Sequence, residues 1–348
     1  MTQAPASSPP GTAEDPRYEA AVFPVFLLQT LAQVAASRGV EPQALCRGLG
    51  FGPDDLDDPT FRVSYRQASL MIRRALQLVP GDALGLAVGN RNVLGTLGLL
   101  GHAVSLCPTL GEAFDIGLRY QVTAGGITQT SLRLSGAELW VEAGFRFPDV
   151  EIQVFAVEEL FASLLVYGRS LVGAHFSPLR VELAYPAPAW AAQYQALFGA
   201  PVIFGAEQNR CVIEARWLMH ALPNHNPLAL KQALALLEAE NAQVRQKMDL
   251  AATVERAIEK TLTKGPSLES IAGELNMSGR TLRRRLGDQG LSFETLLNNV
   301  RRTRVMGLLA NPGLPIERVA EQSGYADVRS FRRAFKRWTG VSPSEFRQ

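Results

Sequence analysis

The sequence predicts an α+β N-terminal domain followed by an all-α domain of two helix-turn-helix units joined by a long helix. Three observations lead there. Charge divides near Asp249: residues 249–348 hold 17 Lys and Arg against 11 Asp and Glu, and the first 248 hold 18 against 22. The positive half contains an internal repeat with an offset of 48 to 49 residues. The other half mixes helical apolar spacing with two-residue alternation. A chain of 348 residues suggests two or three domains, and 47% hydrophobic with 20% charged residues is the balance of a folded protein.

Within residues 1–19, MTQAPASSPPGTAEDPR lacks the basic start and apolar core of a signal peptide and reads as a disordered tail. No apolar stretch reaches the roughly 18 residues that span a bilayer, so no membrane partner is expected and the cytoplasm is the expected compartment. Residues 20–225 form the first domain. FPVFLLQTLAQVAASRGV and VSYRQASLMIRRALQLV have helical spacing, and LGTLGLLGHAVSLCPTLGEAFDIGLRYQ continues as helices broken near Gly95 and at Pro108. ITQTSLRLSG and AELWVEAGFRF alternate about Gly136 as a hairpin. VEIQVFAVEELFASLLVYGRSLV is a long, mostly buried helix, and LRVELAY, PVIF and RCVIEA are strands. Residues 226–248 are a linking helix whose stripe of Leu228, Leu230, Ala233, Leu234 and Leu237 packs on its own domain or in a homodimer.

Catalytic and metal signatures do not assemble, so the chain reads as no enzyme, with neither metal nor cofactor. Cys46, Cys107 and Cys211 lie far apart without a CxxC pair. VGNRNVLGTLG lacks the spacing of a phosphate loop, and His220 and His225 have no third ligand nearby. His102 and His175 read as packed or hydrogen-bonded residues. Phe114, Tyr120, Trp140, Phe145, Phe147, Phe155 and Phe161 suit either an apolar pocket or plain core.

The domain of residues 249–348 holds the repeat. Leu268, Glu269, Ile271 and Ala272 recur 48 residues on as Ile316, Glu317, Val319 and Ala320. After the turn the offset is 49: Ser278 matches Asp327, Arg280 matches Arg329, Leu282 matches Phe331, and Arg283 and Arg284 match Arg332 and Arg333. Each copy, about 267–289 and 315–338, reads as a short helix, a tight turn and a second helix capped by Ser278 or Asp327. Leu282 and Leu286, or Phe331 and Phe335, face inward, while the arginines and Lys336 fall on the opposite face without an acidic residue among them. Guanidinium forks pair with guanine edges and with phosphates, so the faces suit double-stranded DNA. A linking helix at 292–311, capped by Ser292 and stopped at Asn311-Pro312-Gly313, sets the distance between the units.

Over residues 250 to 348, SLESIAGELNMSGRTLRRRLGDQGLSF and RVMGLLANPGLPIERVAEQSGYADVRSFRRAFKRWTGVSPSEFR resemble the AraC/XylS type of transcription regulators. The resemblance implies DNA contacts from Arg280, Arg283, Arg284, Arg329, Ser330, Arg332 and Arg333, a second turn at Gly324-Tyr325, and a closing segment through Trp338-Thr339-Gly340 and Pro343. It also brings RNA polymerase into view as a partner. Arg285 departs from the set, its stem expected against the core and its head at phosphate. LAYPAPAWAAQYQALFGAP and FGAPVIFGAEQNRCVIEARWL resemble the arabinose-binding-type domain of one branch of that family, which implies sensing of a small-molecule effector without implying arabinose. Two other readings stay open. A reactive-cysteine enzyme fused to a DNA-binding module needs an exposed thiol of low pKa; an architectural binder needs equal affinity for all DNA.

Overall fold

The computed structural model describes residues 18, 21–289, 291–309, 313–339 and 342–346. The tail expected at 1–19, Tyr18 apart, lies outside them, as do Asn311, Pro312 and Gly340. Backbone contacts divide the chain into two compact units, Val22–Val244 and the chain from Arg245 onward.

In the first unit β1 (Phe23–Pro24) pairs antiparallel with β2 (Arg62–Val63), and α1 (Phe26–Ala36), α2 (Pro42–Cys46) and α3 (Pro53–Leu56) lie between them in sequence. Next come α4 (Tyr65–Leu78), α5 (Leu84–Arg91), a 3-10 turn at Leu94–Leu97, α6 (Leu99–Ser105) and α7 (Leu110–Arg119). Ser64 starts α4 where the sequence predicts a helix: its hydroxyl accepts from the Gln67 amide at 3.2 Å and its amide donates to Gln67 Oε1 at 2.9 Å. The expected hairpin is β3 (Gln129–Ser135) with β4 (Glu138–Gly144), turning at Gly136. The expected buried helix is α8 (Gln153–Val172).

β5 (Arg180–Leu183), β6 (Val202–Phe204) and β7 (Arg210–Glu214) fall on the three expected strand segments. The sheet order is β3-β4-β7-β5-β6, with β5 and β6 parallel and the other neighbours antiparallel. A parallel pair needs a crossover, and α9 (Ala191–Phe198), an element the sequence reading does not contain, supplies it. Val157, Phe161 and Leu165 of α8 share one core with Leu139, Val141 and Ile213 of the sheet.

The linking helix is longer than its sequence boundary. α10 runs over Pro227–Thr261, because neither Gly nor Pro occurs between Leu228 and Lys264 to stop it. Ala233 and Leu237 are buried in the first unit's core with Leu230 and Leu234 against it, so most of the stripe is covered by its own unit; Leu228 stays 68% exposed.

The second unit contains α11 (Leu268–Glu274), α12 (Gly279–Gly287), α13 (Phe293–Leu309), α14 (Ile316–Gln322), α15 (Val328–Thr339) and α16 (Pro343–Phe346). Ser267, Ser278 and Ser292 cap α11, α12 and α13, accepting from the amides of Ser270, Thr281 and Thr295 at 3.0 to 3.1 Å. The two turns repeat bond for bond. Met277 N–H donates to Ala272 O at 2.9 Å and Tyr325 N–H to Ala320 O at 3.1 Å. Each turn has one left-handed residue at the same repeat position, Asn276 (φ 54°) and Gly324 (φ 73°).

Only the second turn forbids a side chain there, since a Cβ on Gly324 would overlap the carbonyl of Leu262. Arg301 of α13 fastens that turn by donating to Gly324 O at 2.6 Å, with its guanidinium 4.6 Å from the centre of the Tyr325 ring. Gly324→Ala is therefore expected to destabilise the second unit by about 2 kcal/mol or more, through the left-handed backbone and the overlap together. Asn276→Gly should shift stability by less than about 1 kcal/mol. Thermal unfolding of both variants checks the pair, and equal losses would refute the distinction.

Candidate functional site

The repeat builds two matching surfaces. On α12, Leu282 and Leu286 are buried while Arg280, Arg283 and Arg284 are exposed; on α15, Phe331 and Phe335 are buried while Arg329, Arg332, Arg333 and Lys336 are exposed. Six of the seven predicted contact residues thus stand at the surface of two equivalent helices. Ser330 differs. Half-buried, it donates its amide to Asp327 Oδ1 at 2.7 Å and its hydroxyl to Asp327 Oδ2 at 2.8 Å, so it completes the α15 cap. Those bonds also hold the Asp327 carboxyl below its ordinary range. Arg285, expected half-packed, is exposed.

The cationic faces are not free of acid. Arg283 lies 3.7 Å from Glu269 and Arg332 lies 4.0 Å from Glu317, the same pair in each copy. The tight turn brings the start of the preceding helix beside the arginine face, which spacing along one helix does not reveal. Both pairs are solvent-exposed and contribute little to stability. Among the described residues, Arg280, Arg284, Arg329 and Arg333 have no carboxylate within 4.0 Å.

Within the first unit lies a cavity of about 220 Å³. Its wall is mostly apolar, with Leu100, Phe114, Leu118, Leu160 and Leu164 among the lining residues. Three of its polar groups lie on α8, where Glu159, Ser163 and Tyr167 follow at four-residue intervals on one face. Asn92, just past α5, donates to Glu159 Oε1 at 2.9 Å and to Ser163 Oγ at 2.8 Å, and Ser163 donates to the same Glu159 oxygen at 2.8 Å. Burial pushes the Glu159 carboxyl up to about 6, against the lowering effect of those two donors.

Its neighbour Glu158 is a different kind of group. It accepts from Gly85 N–H at 3.1 Å, from Trp190 Nε1 at 2.7 Å and from the Tyr194 hydroxyl. Both its oxygens are taken, and it joins α5, α8 and α9.

The sequence reading names none of these polar lining residues. Asn92, Leu94 and Thr96 sit in VGNRNVLGTLG, a segment considered only as a phosphate loop. The available signal was a polar residue at every fourth position through the middle of a mostly apolar helix. Of the aromatic candidates, Phe114 lines the cavity. Tyr120, Phe147, Phe155 and Phe161 are buried in core packing, Phe145 packs against the core, and Trp140 stands on the sheet with Arg133 and Arg210 each 4.5 Å from its ring. Tyr120 donates its hydroxyl to Glu238 of α10 at 2.9 Å.

The three cysteines are buried and free, with burial pushing Cys46 up, Cys107 to about 11 and Cys211 to about 12. That is the opposite of an activated thiol. His175 and His220 flank Trp217 at 5.3 and 5.4 Å between ring centres, and His225 Nδ1 lies 3.1 Å from Leu106 O. Among the described residues no helix is long and apolar enough to cross a membrane.

Residues 39–222 match the family model of the arabinose-binding domain of AraC transcription regulators, N-terminal, and residues 271–348 match a helix-turn-helix domain. The chain is 31% identical to the ornithine utilization regulator of Pseudomonas aeruginosa over 95% of this chain and 98% of that protein. It is also 31% identical to an uncharacterized HTH-type transcriptional regulator of Mycobacterium tuberculosis, over 93% of this chain and 95% of that protein. Among solved structures, the transcriptional regulator CdpR of Pseudomonas aeruginosa matches with 24% identity and a TM-score of 0.49, covering 93% of this chain and 98% of that one.

Glu159 yields a stability prediction. The folded protein holds its proton more tightly than an unfolded chain does, moving the carboxyl from 4.5 to about 6. Stability from this group is full below the unfolded value and is lost as pH rises through the folded one, a difference of about 2 kcal/mol. Glu159→Gln is expected to melt higher than wild type at pH 7.5 and to lose that advantage by pH 4. Equal midpoints at pH 7.5, measured by thermal unfolding, would contradict the burial cost.

Proposed function

Because the chain belongs to the AraC family of transcription regulators, we propose that it is a ligand-responsive member in which α12 and α15 enter successive major grooves of double-stranded DNA. The observation that carries this reading is the repeated surface: two capped helices, each anchored by a buried apolar pair, each presenting arginines outward. Groove-reading helices of this kind sit about 34 Å apart along the duplex. Arg280, Arg284, Arg329 and Arg333 are the base and phosphate contacts, with Arg283 and Arg332 contributing once DNA displaces Glu269 and Glu317. Ser330 acts by presenting α15 and by offering its hydroxyl to phosphate. RNA polymerase and a second copy of the chain, the latter through exposed Leu228 and Leu236 of α10, are the further partners.

The cavity is the effector site in this reading. Its wall includes Gln121 and Ala124, and the residues beside them, Tyr120 and Thr123, hydrogen-bond Glu238 and Asn241 of α10 at 2.9 and 3.2 Å. α10 runs on to Thr261. A ligand that favours one setting of the 120–124 segment therefore shifts α10, and regulation follows if the ligand binds one arrangement more tightly than the other.

On operator DNA obtained by selection from random sequence, Arg284→Ala or Arg333→Ala is expected to cost about 1 to 3 kcal/mol and to relax base preference at one position. Uniform weakening on every sequence would reduce both residues to phosphate clamps. Tyr120→Phe should leave operator affinity without ligand within about twofold of wild type while reducing the ligand-induced change. An undiminished response in titrations with and without ligand would remove α10 from the path.

A further inference from the structure

One carboxylate in an otherwise uncharged wall says what the cavity takes. Among the described residues, Glu159 is the only charged one lining it, and no Arg, Lys or His is among the lining residues. Asn92 and Ser163 both donate to Oε1; among the described residues no donor reaches Oε2. Of the other polar lining residues, all uncharged, Thr96 and Tyr167 pair with each other at 3.3 Å, and Gln121 bonds the backbone of Thr130, while Thr128 and Thr130 complete the set. We propose, resting on the reading of this cavity as the effector site, that its ligand is an apolar monoamine whose protonated nitrogen donates to Glu159 Oε2 while its hydrocarbon body lies along Leu100, Phe114, Leu118, Leu160 and Leu164.

The physical argument is one of charge balance. Near neutral pH the carboxylate is ionised in a poorly solvated place without a cation, a state an incoming ammonium relieves by pairing and by a charge-assisted hydrogen bond. A fatty acid or another anion brings a second negative charge beside the first, with no guanidinium or ammonium to meet it. A zwitterionic amino acid meets Glu159 with its amine and leaves its own carboxylate buried and unpaired. The space is that of roughly seven waters at ~30 Å³ each. A chain of about eight carbons with one head group fills such a volume at the packing density of a protein interior.

Calorimetry on the full-length protein at pH 7.5 with n-octylamine, n-octanol and n-octanoate tests this, since the three share a body and differ in head group. Octylamine is expected to bind at least about tenfold tighter than octanol, and octanoate weakest. Glu159→Gln should remove the amine preference, so that octylamine binds no tighter than octanol to the same variant, and Leu164→Trp should abolish binding of all three by filling the cavity. Octanoate binding as tightly as octylamine, an amine preference that survives Glu159→Gln, or octylamine binding that survives Leu164→Trp each overturns the assignment. Operator titrations with octylamine read the regulatory function separately. Amine binding through Glu159 without a change in DNA affinity leaves the ligand class standing and removes the effector role.

Discussion

The interior of the first unit depends on how closely α5 approaches α8. A Cβ at Gly85 would overlap the carbonyl of Phe155, and one at Gly89 the carbonyl of Glu159, so the helices meet backbone to backbone at two positions one turn apart. That contact brings the Gly85 amide to Glu158 and carries the end of α5 far enough along α8 for Asn92 to reach Glu159 and Ser163. Two neighbouring carboxylates are thereby drawn inside with opposite fates. Glu158 has a donor on each oxygen and joins three helices. Glu159 keeps one oxygen without a donor among the described residues, at the wall of the cavity. Leaving a buried acceptor unanswered costs free energy, and such costs concentrate where a protein binds something.

The second unit solves a different problem with repeated parts. Two short helices cannot bury much surface alone, so α13 covers the second pair, and Val305 and Leu309 join Val319, Phe331 and Phe335 in its core. The copies share caps, turn bonds, apolar pairs and the Arg–Glu pair across the turn. They differ at the left-handed turn residue, where the first copy tolerates Asn276 and the second requires glycine against Leu262. Arg301 adds a clamp on the second turn. The glutamates beside Arg283 and Arg332 lower the local positive charge of both arginine faces.

Local rules made most elements legible. The hairpin about Gly136, the helix opened by Ser64, the buried α8 and both capped helices of the repeat follow from period, caps and turn residues. α9 did not, because AAQYQALF is short and its role as a crossover exists only once β5 and β6 are paired side by side. The linking helix also runs past its sequence boundary, since that boundary came from a change in charge, whereas the helix continues to Thr261 and a 3-10 turn at Leu262–Lys264 follows before Gly265-Pro266.

Alone, the sequence determined the order of elements, the duplication and the outward arginines, because these depend on residues within a few turns of one another. Tertiary structure decided the cavity and the pairing of Arg283 and Arg332 with glutamates, because each needs groups from separate elements at van der Waals or hydrogen-bonding distance. Asn92 and Glu159 are 67 residues apart and meet only when α5 lies against α8. No periodicity within either segment encodes that meeting.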